Sequence, residues 1–554
     1  MSHPMLGCQI APQYHHRYDS SSSSSLDTEG QVLATTDSAR AQQQQTNLFE
    51  PETNHVIDST STRPTVLQRD RTKSSRRIEL EQQPAGFFHS SMAGVRLHVI
   101  KLWFRTNLIL AIAIMAFLCL FWGALFRQRE NVANLSIWVV DFDGQPPYTG
   151  VAPFVGPFVT RAIQEIVDEG GVVPGYTFAP PGDFDNDPFK VRESVYNFHA
   201  WAAVVINSNA TAMLEAAVRQ GNATYDPLGA CQIIYNSARD QTTSSTYIVP
   251  SMTTLQKRVV TDFGRAWIAH LLRNNMSAID MHIDIAPQAL TPGIEFAVYD
   301  LRPFGPPIAT PAVSIGLIYL IIISFFSFTF FLPIHLKYLS PRGHPPLHFY
   351  QLIVWRYVAT VASYFLLSLV YSFVSLAFLM PMDRPEAAHD QPANNPNAYG
   401  SATFVVYWMG NWIGMIAFGL ASENMAMLLG TPWTALWLIF WVISNVATGF
   451  YALELAPSFY RWGYGWPMHN VVELTRSILF DLHPRIGLNF GILFAWVTAG
   501  TVLFPLCCYY MRWNTARVKR NAAKVEQDWH AKMTKEREQP GLLARVTTLG
   551  GKTS

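Results

Sequence analysis

The 554-residue sequence has few charged residues and few cysteines. Only 14% of its residues are Asp, Glu, Lys or Arg, which is low for a soluble protein of this length, whereas 49% are hydrophobic. The net charge of +1 gives no bulk attraction to nucleic acid, so no nucleic-acid partner is expected. Of the five cysteines, only Cys231 falls in the polar segment 128–308, which therefore cannot form an internal disulfide.

Recognisable catalytic and metal-binding motifs are also absent from the sequence. It contains no H-E-x-x-H, no G-x-S-x-G and no cluster of Cys and His residues. Gly551-Lys552-Thr553 is similar to the end of a phosphate-binding loop, but Val546 stands where that motif needs its first glycine. We therefore expect no enzymatic activity, no cofactor, no metal site and no ATP-hydrolysing module in this chain.

What the sequence does contain is a set of long apolar stretches. The first, residues 107–126, matches the roughly 20 apolar residues that an α-helix needs to cross a hydrocarbon core about 30 Å thick. Five more follow in the second half, at 313–334, 357–380, 401–422, 433–453 and 487–511. The sequence thus predicts an α-helical polytopic membrane protein with six spans and a mixed α/β extracytosolic domain between the first two.

Basic residues and glycosylation sequons predict the same orientation. Basic residues are concentrated before the first span, at Arg71, Lys73, Arg76, Arg77, Arg96, Lys101 and Arg105, and only Arg127 and Arg129 follow it closely. The positive-inside rule then keeps the amino terminus in the cytosol. The N-x-Ser/Thr acceptors all lie between the first two spans: Asn134, Asn209, Asn222 and Asn275. With six spans, both termini are cytosolic and the segment 128–308 is outside.

The chain divides into five regions by composition. These are a disordered cytosolic tail (1–92), a juxtamembrane segment with the first span (93–127), the extracytosolic domain (128–308), the membrane domain (309–511) and a basic cytosolic tail (512–554). In the extracytosolic domain, strand-like residues 135–142, 200–206 and 231–235 alternate with helical patterns at 158–168, 209–220 and 251–272. This alternation predicts a small sheet with helices packed on it. Residues 456–486 are predicted to form short helices in, or dipping into, the membrane interface.

Polar residues in or near the spans are the candidate functional residues. Arg356, Asn411 and Glu423 lie in or close to predicted spans, where such residues either hold helices together or mark a transport path. Glu473 and Arg476 share one face of a helix in the segment 456–486. They are expected to form either a structural salt bridge or part of a substrate path.

Two adjacent cysteines lie near the cytosolic end of the last predicted span. Cys507 and Cys508 fit S-palmitoylation, which occurs on cysteines next to a membrane, and they fit membrane-facing packing equally well. The sequence alone leaves both alternatives open.

Several motifs carry a resemblance to a known family. VVDFDG, AWAAVVINSNAT, YNSARD and GWPMHNVVELTRSILFDLHPRIGLNFGILFAW resemble segments of the fungal nitrosoguanidine-resistance family, multispanning membrane proteins that share a domain of unknown function. The plan of one span, a large outer domain and five further spans is similar to that of ABC-2-type exporter membrane subunits. This resemblance supplies no catalytic residues. It implies a nucleotide-binding partner, because ABC-2 exporters need one and this chain encodes none.

Two functions follow as expectations. The first is a component of export or lipid distribution that contributes to toxicant and drug resistance. Its partners would be membrane lipids and either a separately encoded ATPase or further copies of the chain. The second is a non-transporting membrane scaffold or regulator that binds partners through its outer domain and tails. The plasma membrane is the expected location, with an endomembrane as the alternative.

Overall fold

The computed structural model describes residues 86–538, apart from 90–91, 274–281, 283, 340–342, 344, 384–386, 389–390 and 394–398, and it describes side chains in the last helix as far as residue 531. Most of the predicted disordered tail, and Asn275, lie outside the described residues. The described part contains a five-stranded mixed sheet and five helices that are long and apolar enough to cross a membrane. A sixth apolar helix is shorter.

An α/β domain follows the first apolar helix, α1 (Ala93–Ala124). In chain order its elements are β1 (Ser136–Asp141), α2 (Val155–Asp168), β2 (Gly175–Ala179), α3 (Pro188–Tyr196), β3 (Ala202–Ile206), α4 (Ala210–Gln220), β4 (Cys231–Tyr235), α5 (Val249–Arg273) and β5 (Phe296–Asp300). The strand order is β2-β1-β3-β4-β5, with β4 and β5 antiparallel to the other three. The predicted small sheet with packed helices is therefore confirmed.

Helices cover both faces of this sheet. Because side chains alternate along a strand, Val204 of β3 faces α2, α4 and α5, whereas Val205 faces α3. All five residues of β3 are buried, which explains why its sequence is an unbroken apolar run. The edge strands β2 and β5 are mostly half-buried or exposed, and neither is among the strands that the sequence predicted.

The second half of the chain forms a helical bundle. Its helices are α6 (Ala309–Val313), α7 (Leu317–Leu336), α8 (Phe349–Ala377), α9 (Thr403–Leu429), α10 (Thr434–Gly449), α11 (Pro467–Phe480) and α12 (Ile486–Glu538). Helix α9 is central, because it packs against α8, α10, α11 and α12, and α1 packs against α10. Helix α12 continues well past the predicted end of the last span, so the first part of the predicted basic tail is helical.

The segment predicted to form short helices in, or dipping into, the membrane interface packs into the bundle. A 3₁₀-helix (Ser458–Gly465) leads into α11, and twelve of the 14 residues of α11 are buried. Gly414 of α9 allows this close approach, since a Cβ there would lie 2.8 Å from Val471 Cγ2 of α11. Helix α11 is therefore part of the bundle.

Buried ion pairs join the α/β domain to the bundle, and we call them the junction. Arg302, just after β5, pairs with Asp481 at the end of α11 (2.8 Å), and the same guanidinium donates to the Pro392 carbonyl (2.8 Å). Arg476 of α11 pairs with Asp240 of the α/β domain (3.1 Å). Each pair brings together charges whose burial without a partner would be costly, so loss of one partner is expected to destabilise the contact between the domain and the bundle.

Arg239 makes a third contact across the junction. Its guanidinium lies 3.6 Å from the Glu454 carboxylate and 3.8 Å from the centre of the Trp201 ring. Burial lowers the pKa of Arg239 to about 10, and the neighbouring Glu454 counteracts part of that effect. Arg239 therefore remains charged at neutral pH.

Candidate functional site

Helix α8 carries polar residues on its buried face. Beyond Leu352 and Ile353, its buried residues recur at every fourth position and are all polar: Arg356, Thr360, Tyr364, Ser368 and Ser372. On its other faces, apolar residues such as Leu366 and Val370 are exposed. From Arg356 to Ser372 the helix rises about 24 Å, most of the roughly 30 Å of a hydrocarbon core. We call these five residues, with their side-chain partners on neighbouring helices, the polar stripe.

An ion pair forms one end of the polar stripe. Arg356 Nη2 lies 2.6 Å from Glu423 Oε1 of α9, and both side chains are less than 5% exposed. Thr360 lies 3.4 Å from the second carboxylate oxygen, and the Cys508 thiol of α12 lies 3.4 Å from the guanidinium. The structure thus brings together Arg356 and Glu423, two residues that the sequence identified separately.

Tyr364 forms the middle of the polar stripe. Its hydroxyl lies 2.8 Å from Ser327 Oγ of α7 and donates to the Ser324 carbonyl (3.0 Å). Gly419 of α9 faces the ring, and a methyl group at that position would overlap the Tyr364 side chain. The polar stripe therefore links three helices at this level.

Serines and an asparagine form the other end of the polar stripe. The Trp408 indole donates to Ser368 Oγ (3.2 Å), and Asn411 Nδ2 donates to Ser372 Oγ (3.0 Å). One turn further on, Ser375 Oγ lies 3.1 Å from the Tyr407 hydroxyl. The predicted functional residue Asn411 is thus part of the polar stripe. Inside an apolar bundle, such groups are mutually satisfied or contact a polar ligand.

The predicted pairing of Glu473 with Arg476 is not what the structure shows. Arg476 contacts Asp240 and donates to the Arg239 carbonyl (2.9 Å), whereas Glu473 lies 3.5 Å from His469, four residues earlier on the same helix. The prediction was wrong because it considered only one helix, and the buried carboxylate of another domain is the better partner. Both residues lie at the junction and outside the polar stripe.

The two adjacent cysteines are buried. Cys507 is 4% exposed and Cys508 is 1% exposed, and the Cys508 thiol lies 3.6 Å from the Met427 sulfur. An acyl chain on either thiol would need this packing to open. Of the two alternatives, the structure therefore favours packing over palmitoylation, although the packing is against other helices and not against lipid.

The predicted glycosylation acceptors differ in accessibility. Asn222 is exposed, and its side-chain oxygen accepts from the backbone and hydroxyl of Thr224. Asn209 is half-buried at the start of α4. Asn134 is exposed, but its side-chain nitrogen donates to the Glu454 carbonyl (3.0 Å). Asn222 is the best-placed acceptor of these three.

The α/β domain has a crevice of the kind that binds ligands in open sheets. A side chain of the domain itself, the carboxylate of Asp143, occupies this crevice. Strands β2 and β3 flank β1, so the crevice lies beyond the carboxyl end of β1. There the Asp143 carboxylate accepts from the backbone N–H groups of Gly156 and Thr211 (both 3.0 Å), at the starts of α2 and α4. This carboxylate takes the position of a bound anion. Burial, helped by the charge of Asp143, raises the pKa of nearby Asp141 to about 6 despite a backbone hydrogen bond that lowers it.

Four residues of the polar stripe were not predicted as functional residues, because only charged and amide side chains in the spans were considered. These four are Thr360, Tyr364, Ser368 and Ser372. Their signal was the spacing, because polar residues at every fourth position lie on one face of a helix. The VVDFDG motif contains Asp141 and Asp143. The carboxylate of Asp143 contacts the starts of α2 and α4, and these contacts could not be predicted because they depend on the fold.

Comparison with known proteins agrees with a membrane protein of unassigned activity. The chain is 28% identical over 444 residues to an uncharacterised endoplasmic reticulum membrane protein of Saccharomyces cerevisiae, an alignment that covers 76% of this chain and 82% of the yeast protein. No solved structure matches. Residues 106–502, more than half of the chain, match a family that is described as "Protein of unknown function (DUF3533)". The chain is an integral membrane protein and belongs to this family.

Proposed function

We propose that this protein moves amphipathic molecules, membrane lipids or toxic compounds, between the two leaflets of its membrane. The polar stripe carries this proposal. A lipid that crosses a bilayer needs polar contacts for its headgroup, while its chains can stay in the hydrocarbon. Helix α8 offers both, because the polar stripe lies on one side and exposed Leu366 and Val370 lie on others. A separately encoded ATPase is the proposed energy source for uphill movement, in keeping with the resemblance to ABC-2 exporters.

The proposal includes six spans, with α10 as the fifth. Helix α10 has 16 residues and rises about 24 Å, which suits a bilayer that is thinned locally. An even number of spans puts both termini on one side, as their basic residues require. The α/β domain then lies outside the cytosol. The yeast relative's name places that protein in the endoplasmic reticulum membrane, which supports an endomembrane location for this chain.

Glycosylation tests this orientation. We expect Asn222→Gln to increase the gel mobility of the protein from microsomes as much as loss of one glycan does, because Asn222 is exposed in the α/β domain. Thr224→Ala, which destroys the same sequon, should give the same shift. Asn186→Gln, a change outside any sequon, should give none. An unglycosylated α/β domain that protease digests only from the cytosolic face would contradict six spans with this orientation.

Lipid movement in vesicles tests the proposed activity. Purified protein should expose a fluorescent phospholipid of the inner leaflet to an external quencher faster than empty vesicles do, with candidate ATPases added where movement is uphill. Changing Ser372 to Ala together with Asn411 to Leu should slow this at least tenfold. Removing both partners of a hydrogen bond costs little stability, so the variant should remain folded. Val370→Ala, on a lipid-exposed face, is the matched control.

A scaffold or regulator remains the second candidate, and one observation favours it. The side chains of the polar stripe already bond to one another, which is also how polar residues hold membrane helices together. On this account the wild-type protein moves no lipid under any condition. Proximity labelling would then be dominated by trafficking or signalling proteins.

A further inference from the structure

Helix α12 extends far beyond the bundle. Its 53 residues rise about 80 Å, well over the roughly 30 Å of a hydrocarbon core. From Val518 to Ala531 every side chain is exposed. No Gly or Pro follows Pro505 within the helix, so nothing in the sequence bends it towards the membrane surface. A helix of this kind projects away from the bilayer.

An apolar seam runs along this projecting part. Val518, Ala522, Val525 and Trp529 are spaced four, three and four residues apart, and the large ones are more than half exposed. This is the narrow repeat by which one helix packs along another in a coiled coil. Within the described residues nothing covers the seam. The exposed stretch 518–531 has only about the length at which an isolated helix is marginally stable in water, so the seam is expected to gain stability from a partner helix.

We propose that the seam pairs with the same seam of a second copy of this chain, as a parallel, in-register coiled coil. Two copies in one membrane with one orientation send α12 out on the same side and in the same direction. A two-fold axis along the membrane normal then places Val525 opposite Val525 and Trp529 opposite Trp529.

The flanking side chains are compatible with this pairing. With Ala522 and Trp529 at a positions, and the valines at d positions, Asn521 of one copy faces Glu526 of the second. Asn514 likewise faces Lys519 of the second copy. Neither contact places like charges together, so the parallel register meets no repulsion at these flanking positions.

The proposed coiled coil is short, and its strength depends on the membrane. Four seam residues per helix bury much less than the roughly 800 Å² per partner of a standard stable interface. Confinement of both copies to one bilayer raises their effective concentration and compensates for the small area. The pairing is therefore expected for the full-length protein in a membrane.

Disulfide trapping in native membranes tests the proposal. In full-length protein carrying Cys8→Ser and Cys119→Ser, Val525→Cys should form an oxidised homodimer at least tenfold more than Gln527→Cys, which lies on the opposite side of the helix. Equal trapping at both positions, trapping of a different protein, or none at either would overturn the proposal.

A second measurement avoids dependence on cysteine chemistry. Single-molecule photobleaching of the full-length protein in lipid vesicles should show mostly two-step traces for wild type and for Gln527→Glu. Val525→Glu should reduce the two-step fraction at least fivefold, since it places two carboxylates in the seam. Both changes are on an exposed helix and leave the bundle folded. A wild-type protein with one-step traces, or a Val525→Glu variant that still pairs, would contradict the proposed contact.

Discussion

Arg356→Leu is expected to lower the free energy of unfolding by about 3–5 kcal/mol, because it leaves the buried Glu423 carboxylate without a counter-charge. The two side chains are 3% and 4% exposed, so water cannot replace the lost partner. Thermal unfolding in detergent or nanodiscs measures the effect. Arg265→Leu, which removes a mostly exposed arginine, should change stability by no more than about 0.5 kcal/mol.

A double variant that combines Arg356→Leu with Glu423→Leu distinguishes a structural role of this ion pair from a functional one. We expect it to regain most of the lost stability, because it removes both charges and leaves none unpaired. If it is stable but no longer moves lipid in vesicles, the ion pair takes part in transport. If it is stable and active, the ion pair only holds α8 to α9. An Arg356→Leu variant as stable as the Arg265→Leu control would show that the ion pair does not contribute.

Arg302→Leu should have the second largest effect, also about 3–5 kcal/mol. It removes the guanidinium that pairs with the buried Asp481 carboxylate and donates to the Pro392 carbonyl, so the α/β domain loses a principal attachment to the bundle. Hydrogen exchange should increase around β5 and at the end of α11, while the centre of the sheet stays protected.

Two comparisons make the Arg302 result specific. Asp481→Asn keeps a side chain that tolerates the positive φ of this position (52°), and it leaves the Arg302 guanidinium an amide oxygen and the Pro392 carbonyl as acceptors, so its loss should be smaller. Arg219→Leu, on an exposed helix face, should have little effect. Unchanged exchange at the end of α11 in Arg302→Leu would mean that the junction does not depend on this ion pair.

The large features of this protein could be predicted from its sequence because they depend on local composition. Long apolar runs located five helices that can cross a membrane, and short apolar runs located three of the five strands in the described part of the chain. Contacts between distant residues could not be predicted in the same way. Arg356 and Glu423 are 67 residues apart, and Arg476 and Asp240 are 236 apart, so their pairing depends on how helices and domains pack.

The boundaries were less predictable than the elements. Helix α10 ends at Gly449 and not at the predicted 453, since the residues that follow are apolar but irregular. Helix α12 runs on as far as Glu538 because a basic sequence with good helix formers favours a helix as much as a flexible tail. The polar stripe could have been predicted from the sequence, because its four-residue spacing is visible once serine, threonine and tyrosine are counted as polar residues.

The junction also constrains the order of events during synthesis. Arg302 meets Asp481 across 179 residues of chain, and Asp240 meets Arg476 across 236. At about 5–20 residues per second, the ribosome needs roughly 10–50 s to make 236 residues. Throughout this delay the newly made α/β domain shows unmatched charges on the surface that will meet the bundle. Stalled or truncated chains that end before α11 would keep that surface exposed, and chaperones could recognise them by it.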